Sequence, residues 1–248
     1  MDFLDIIEEF LSLIIVLAVA AFILIFWLLE KRWQENLEKV AKRNWLYFSA
    51  RLNDEMCKDG YEFLSGFDII SNSNPSLFST SSKPQLEIKN ILIKHNSNLN
   101  IRIFEYVKVT GYGKNKHKTR YTCIRGTIKN EFPSFVMRKE NIFDKAGALF
   151  GFEDIDFERN QEFSKTYFLK SNNQNIKMLF NNDILTFFER EKPDLTIEAR
   201  GREFLLYKRN RLKRPEDYAT LLNYCEKIIN KFSDAAEKNS AGKGENAQ

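Results

Sequence analysis

Histidine and cysteine are scarce in this chain, two and three residues among 248. Cys57, Cys123 and Cys225 are far apart and odd in number, so they offer neither a disulfide framework nor a zinc-ligand spacing. They read as small apolar fillers in a reduced setting. His95 falls at an expected hairpin end and His117 in a basic loop, and no spacing places either beside a cysteine as the base of a nucleophile pair. Charge of one sign is also lacking in excess. The formal net charge of +4, from 38 basic and 34 acidic residues, is small for a dedicated nucleic-acid binder.

The familiar chemical signatures are missing too. Gly111-Tyr112-Gly113-Lys114 invites a phosphate-loop reading, but one residue separates the glycines and Asn115 follows the lysine. A Walker loop needs four residues between its glycines, then Lys and Ser or Thr opening a helix. Glu153-Asp154-Ile155-Asp156-Phe157-Glu158 is dense in carboxylates but lacks the glycine and terminal glutamate of a calcium-binding EF-hand loop. It reads as a solvated strand edge, with a cation held by Asp154 and Asp156 as the alternative. No nucleophile elbow, zinc signature, dinucleotide fingerprint or kinase set is present. No catalytic residue, metal ligand or cofactor is therefore assigned.

Charge is wholly absent from the twenty residues Phe10 to Leu29, where Ser12 is the only hydroxyl. Such a run is long enough to cross a bilayer as one helix. Its acidic start, its length and the central position of Ala18-Val19-Ala20, the one small-x-small triplet, argue against a cleaved signal peptide. No Lys or Arg precedes the run, whereas Lys31, Arg32, Lys39, Lys42, Arg43 and Arg51 follow it. That asymmetry places the N-terminus outside and the rest in the cytosol. Trp27 and Trp33 bracket the inner end, where indole rings favour the interface. The basic cluster is a topology signal, or also a patch for anionic lipid.

About 215 residues follow, enough for one sizeable domain. Trp33, Leu37, Val40, Trp45, Phe48, Leu52 and Met56 recur at helical steps and predict a stalk helix over 31–59, closed by Gly60. The stripe is not a clean heptad, which favours packing on the chain's own domain over pairing with a copy. Residues 71–84 read as an irregular loop rich in Ser and Asn. Strands are expected over 86–93 with a phase slip near Asn90, over 99–109, around 121–123 and at 135–138, giving an antiparallel meander. A helical turn at 143–150, a strand near 166–169, a helix over 176–189 and a hairpin turning at Gly201 follow. Pro215, Glu216 and Asp217 open a last helix whose apolar stripe runs from Tyr218 to Phe232. From Asp234 the composition reads as a disordered tail.

Two basic stretches stand out. One is Lys114, Lys116, Lys118 and Arg120. The other is Lys208, Arg209, Arg211, Lys213 and Arg214, five basic residues in seven. Both read as solvated loops, or as contacts for anionic lipid or a partner: phosphate or lipid at the first, anionic lipid or an acidic partner at the second. No aromatic residue interleaves the second stretch to stack bases, so RNA is the weaker partner.

The segments Phe135-Val136-Met137, Glu153-Asp154-Ile155-Asp156-Phe157, Glu162-Phe163-Ser164-Lys165-Thr166-Tyr167-Phe168 and Leu195-Thr196-Ile197-Glu198-Ala199 form a recognisable layout. Over 122–207 it resembles a bacterial family of unknown function that carries hydrophobic anchors ahead of a cytosolic α+β domain. Members often have two spans where this chain has one. The resemblance implies fold class and transfers no site residue.

The sequence thus predicts an α+β protein: a single N-terminal transmembrane helix over 1–30, a helical stalk over 31–59, a domain with a mostly antiparallel sheet over 60–233, and a tail over 234–248. The expected role is a non-catalytic, membrane-tethered interaction or assembly module with another protein as partner. The alternatives are an enzyme acting on a membrane-associated or anionic substrate, or a sensor of lipid or small ligand.

Overall fold

The computed structural model describes residues 3–44, 46–51, 85–96, 99–110, 113–140, 155–171, 173 and 175–245. In chain order the elements are α1 (Phe3–Arg43), β1 (Tyr47–Arg51), β2 (Gln85–Asn96), β3 (Leu99–Thr110), a 3-10 turn (Gly113–Asn115), β4 (His117–Lys139), α2 (Gln161–Thr166), β5 (Tyr167–Ser171), α3 (Ile176–Leu179), α4 (Asn182–Glu191), β6 (Thr196–Arg209) and α5 (Glu216–Glu245). The class is α+β, as the sequence predicts. The expected irregular loop at 71–84, the helical turn at 143–150 and Cys57 lie outside the described residues.

The sheet has six strands in the order β1-β2-β3-β4-β5, with β6 also on β4. Every pairing is antiparallel. The 23-residue β4 organises it. One edge of β4 carries β6 from Tyr121 to Met137. The other edge is shared in succession, by β3 along His117 to Thr127 and by β5 along Phe135 to Lys139.

The helices cover one face. Ile101, Ile103, Ile124, Phe135, Met137, Ile197, Phe204 and Leu206 point into it and meet Leu37 and Ala41 of α1 and Tyr218, Leu222, Cys225, Ile229 and Phe232 of α5. A smaller cluster on the opposite face holds Ile88, Ile91, Ile93, Phe104, Tyr106, Cys123 and Leu205.

Side chains alternate strictly along a strand, so one extra residue moves everything after it to the other face. This occurs three times. In β2, Ile88 and Ile91 share a face because Asn90 sits in a bulge with φ 53°. This is the phase slip legible in the sequence. In β4 the inward parity changes between Phe132 and Phe135. In β6 it changes between Ala199 and Phe204, across Gly201 at φ 60°. Gly201 therefore turns no hairpin. β6 is one strand, and both halves pair with β4: Ala199 with Phe135, Glu203 with Thr127. The two strands expected around 121–123 and 135–138 are likewise the two ends of β4.

Three further expectations are corrected. The stalk helix ends at Arg43 instead of running to Gly60. Asn44 closes it, its Nδ2 donating to the Val40 carbonyl at 2.8 Å, and Tyr47–Arg51 then pairs as an edge strand with β2. The helix predicted over 176–189 divides into α3 and α4. Asn181 caps the second piece, its Oδ1 accepting the Ile184 amide at 3.1 Å. The last helix does not dissolve at Asp234. It continues to Glu245, with Ala235 and Ala236 buried.

Among the described residues one helix is long and apolar enough to cross a membrane, and it lies near the N-terminus. Every residue from Phe10 to Leu29 is exposed, Phe22 by 71%. This half of α1 is thus no core helix of the domain.

Candidate functional site at the root of the apolar helix

The apolar run ends at Glu30, and there the helix is fastened to the sheet. Arg211, in the loop between β6 and α5, grips the Glu30 carboxylate with both ends of its guanidinium, at 2.9 and 3.1 Å. Its Nε donates to Glu105 Oε1 at 2.9 Å. The guanidinium carbon stacks 3.4 Å from the ring centre of Trp33, one turn further along α1. Such planar, forked recognition of a carboxylate combined with stacking is particular to arginine.

Glu105 is the buried hub. It follows Ile101 and Ile103 on the helix-covered face of β3 and is 3% exposed. Besides Arg211, its Oε1 accepts the Tyr218 hydroxyl at 2.6 Å and Asn90 Nδ2 at 3.0 Å. The bulge that shifts β2 thus also delivers Asn90 to this carboxylate. Trp33 packs edge-on against Tyr218, 5.6 Å between centres. The loop carrying Arg211 is itself pinned. Asn210 adopts φ 79°, donates its amide to the Arg120 carbonyl at 2.8 Å, and accepts Thr122 Oγ1 on its own carbonyl at 2.9 Å.

Electrostatics agree with this geometry. Burial works to lower the Arg211 pKa, but the bond to Glu30 and the field of Glu105 outweigh it and leave the guanidinium above its ordinary value. Burial, then the neighbouring Glu105, raises Tyr218, so its hydroxyl stays a donor. The constellation can hold α1 at one place on the domain. Arg211, Tyr218 and the Asn90 amide all donate within it, while Asn90 Oδ1 is buried and has no partner.

The two basic stretches of the sequence come together beside this joint. Tyr121 pairs with Arg209 and Thr122 with Lys208, so the start of β4 and the end of β6 lie side by side. Lys114, Lys116, Lys118, Arg120, Arg209 and Lys213 are exposed, and Lys208 is half-buried. The remaining two are engaged. Arg211 belongs to the joint, and Arg214 pairs with Asp217 at 2.7 Å, a bond that lowers the Asp217 pKa.

The other candidates separate. Cys123 and Cys225 are buried and free, and burial pushes both thiols up, away from nucleophilic use. His117 and Asp156 are exposed, and Asp154 lies outside the described residues. Among the described residues no group of three or more His, Cys, Asp or Glu could hold a metal.

Glu30 and Glu105 escaped the reading of the sequence, and Trp33, Asn90 and Tyr218 were read there as an interface indole, a phase slip and a stripe residue, not as members of one site. Glu105 had a signal. It is a lone carboxylate at the inward parity of Ile101 and Ile103, where a charge needs a partner. No protein-family model and no curated protein sequence matches the chain.

Proposed function

We propose that this protein is a membrane-tethered module whose α+β domain presents a cytosolic interaction surface and whose work is assembly, not catalysis. The observation that carries the reading is the division of α1: every residue of Phe10–Leu29 is exposed, while Leu37 and Ala41 of the same helix are core residues. A free apolar helix of this length belongs in lipid. The Lys and Arg residues that follow it, and none before, support a cytosolic domain. The joint supports a mechanical use. A domain clamped at Glu30 and packed on the next turns of α1 is held at a fixed place on its anchor, as a scaffold requires. The partner is another protein, and no cofactor takes part.

A C-terminal alkaline phosphatase fusion, paired with a cytosolic reporter at the same position, tests the topology. The expected result is an inactive phosphatase and an active cytosolic reporter. An active phosphatase joined after Phe232 would overturn the orientation.

A further inference from the structure

We propose that the exposed basic rim formed by Lys114, Lys116, Lys118, Arg120, Arg209 and Lys213 rests on the anionic head groups of the bilayer that α1 crosses. The proposal rests on the tethered reading above and names the surface that the domain meets. Three observations carry it. Sequence places the two stretches about ninety residues apart, yet the β4–β6 register joins them at one end of the sheet. That end is also where α1 arrives, because Arg211, two residues beyond Arg209, holds Glu30 at the foot of the apolar run. By strand alternation Lys118 and Arg120 project on the face of Thr122 and Ile124, the face against which α1 and α5 pack.

Composition of the rim agrees. No carboxylate occurs from Tyr106 to Tyr121 or from Tyr207 to Arg214. The carboxylates that border these stretches are engaged: Glu105 and Glu30 by Arg211, and Asp217 by Arg214. Six exposed cations at one end of the sheet, Arg209 on the face opposite Lys118 and Arg120, suit a diffuse anionic surface better than one bound anion. The rim shows no buried polar side chain aimed at a single ligand among its described residues. A tethered domain meets that surface at high effective concentration, so individually weak contacts suffice.

The test uses the full chain in nanodiscs of phosphatidylcholine alone or mixed with phosphatidylserine. Amine-reactive labelling of each lysine is read by mass spectrometry. Labelling of Lys114, Lys116, Lys118 and Lys213 should fall severalfold in the phosphatidylserine discs at low salt and recover as added salt shortens the screening length below about 8 Å. Lys177 and Lys192, near the opposite end of β4, are exposed and should not change. Lys114→Glu combined with Lys116→Glu should abolish the protection of Lys118 and Lys213. Equal labelling in both lipids overturns the proposal, as does an equal fall at Lys177 and Lys192. Protection in phosphatidylcholine discs by inorganic phosphate or by a single-stranded oligonucleotide assigns the rim to a soluble anion or to nucleic acid instead. Protease protection of α1 in the same discs separates the two readings. An inserted α1 with an unprotected rim rejects the rim alone; an α1 left outside the disc rejects the tether.

Discussion

The two halves of α1 are one continuous helix with opposite fates. From Phe10 to Leu29 the helix is apolar on every side and every side chain is exposed. From Glu30 to Arg43 it is mixed in composition, with Leu37 and Ala41 0% exposed and Lys39, Lys42 and Arg43 facing out. The second half is an ordinary amphipathic core helix, with one stripe committed to the sheet. The first half has no polar face to turn to water and no sheet to turn to. Apolar content therefore does not predict burial in the domain here. What separates the halves is whether the apolar residues form a stripe or a full cylinder, and the change occurs at the Glu30–Arg211 bond.

The sharpest way to break this comparison is to place one charge on the committed stripe. Leu37→Asp puts a carboxylate where no solvent reaches, at a cost of several kcal/mol, comparable with the whole stability of a domain. Ile228→Asp on α5, also 0% exposed, should do the same. Both variants are expected to lose cooperative thermal unfolding in detergent-solubilised full chain. A melting temperature within a degree or two of wild type would show that α1 or α5 does not pack on the sheet.

Next in size is the joint. Arg211→Ala removes the cation between Glu30 and the buried Glu105, and stranding a buried carboxylate costs about 3 kcal/mol. Arg211→Lys keeps the charge but cannot reach both carboxylates with a fork while stacking on Trp33, so its loss should be intermediate. Amide exchange distinguishes a joint from a general core contact. Exchange should rise first at Trp33–Leu37 and Arg211–Tyr218, with the centre of β4 still protected. If the whole domain opens together, the joint is merely part of the core.

How much of this was legible in the sequence depends on the kind of signal. The apolar run, the last helix and most of the strands declare themselves through periodicity or its absence. Bulges are harder, because a parity change is all the sequence shows. At Asn90 the change lies inside an apolar stretch and reads as a slip. At Gly201 the same change coincides with a glycine and reads as a turn, although β4 makes a matching irregularity opposite and keeps β6 whole. The helix end at Asn44 and the start of β1 were hidden because Trp45, Phe48, Leu52 and Met56 continue the stripe of α1 in the sequence by coincidence of spacing. The tail misled by composition. Its alanines and lysines are good helix formers, and Ala235 and Ala236 find cover that no local feature announces. Of the site, Arg211 was visible only as one of many basic residues, because its partners are 181 and 106 positions away.

Gly201→Ala measures the bulge directly. The position has φ 60° and open space where a Cβ would go, so the penalty is conformational alone, about 1 kcal/mol. A chemical-denaturation midpoint that falls modestly with an unchanged slope is expected. No change, or a gain, would mean that the backbone relaxes out of the left-handed region. It would then favour a regular β6, whose inward parity could not suit both Ala199 and Phe204.

The smallest expected effect is the most telling for the comparison. Leu24 and Leu37 are the same residue on the same helix, 55% and 0% exposed. Leu37→Ala leaves a cavity beneath the sheet and should cost about 2–5 kcal/mol of domain stability. Leu24→Ala leaves none, because the side chain is exposed, and surface changes of that kind stay within about 0.5 kcal/mol. Domain unfolding in detergent should therefore not register Leu24→Ala. What it should register is partitioning, since the apolar run loses area without losing a protein contact. The two variants compared in the same detergent form a matched pair in which only the surroundings differ. If Leu24→Ala lowered domain stability as Leu37→Ala does, the outer half of α1 would have to pack against protein, in this copy or another. The division of α1 at Glu30 would then mark a change of partner, and no longer the edge of the domain.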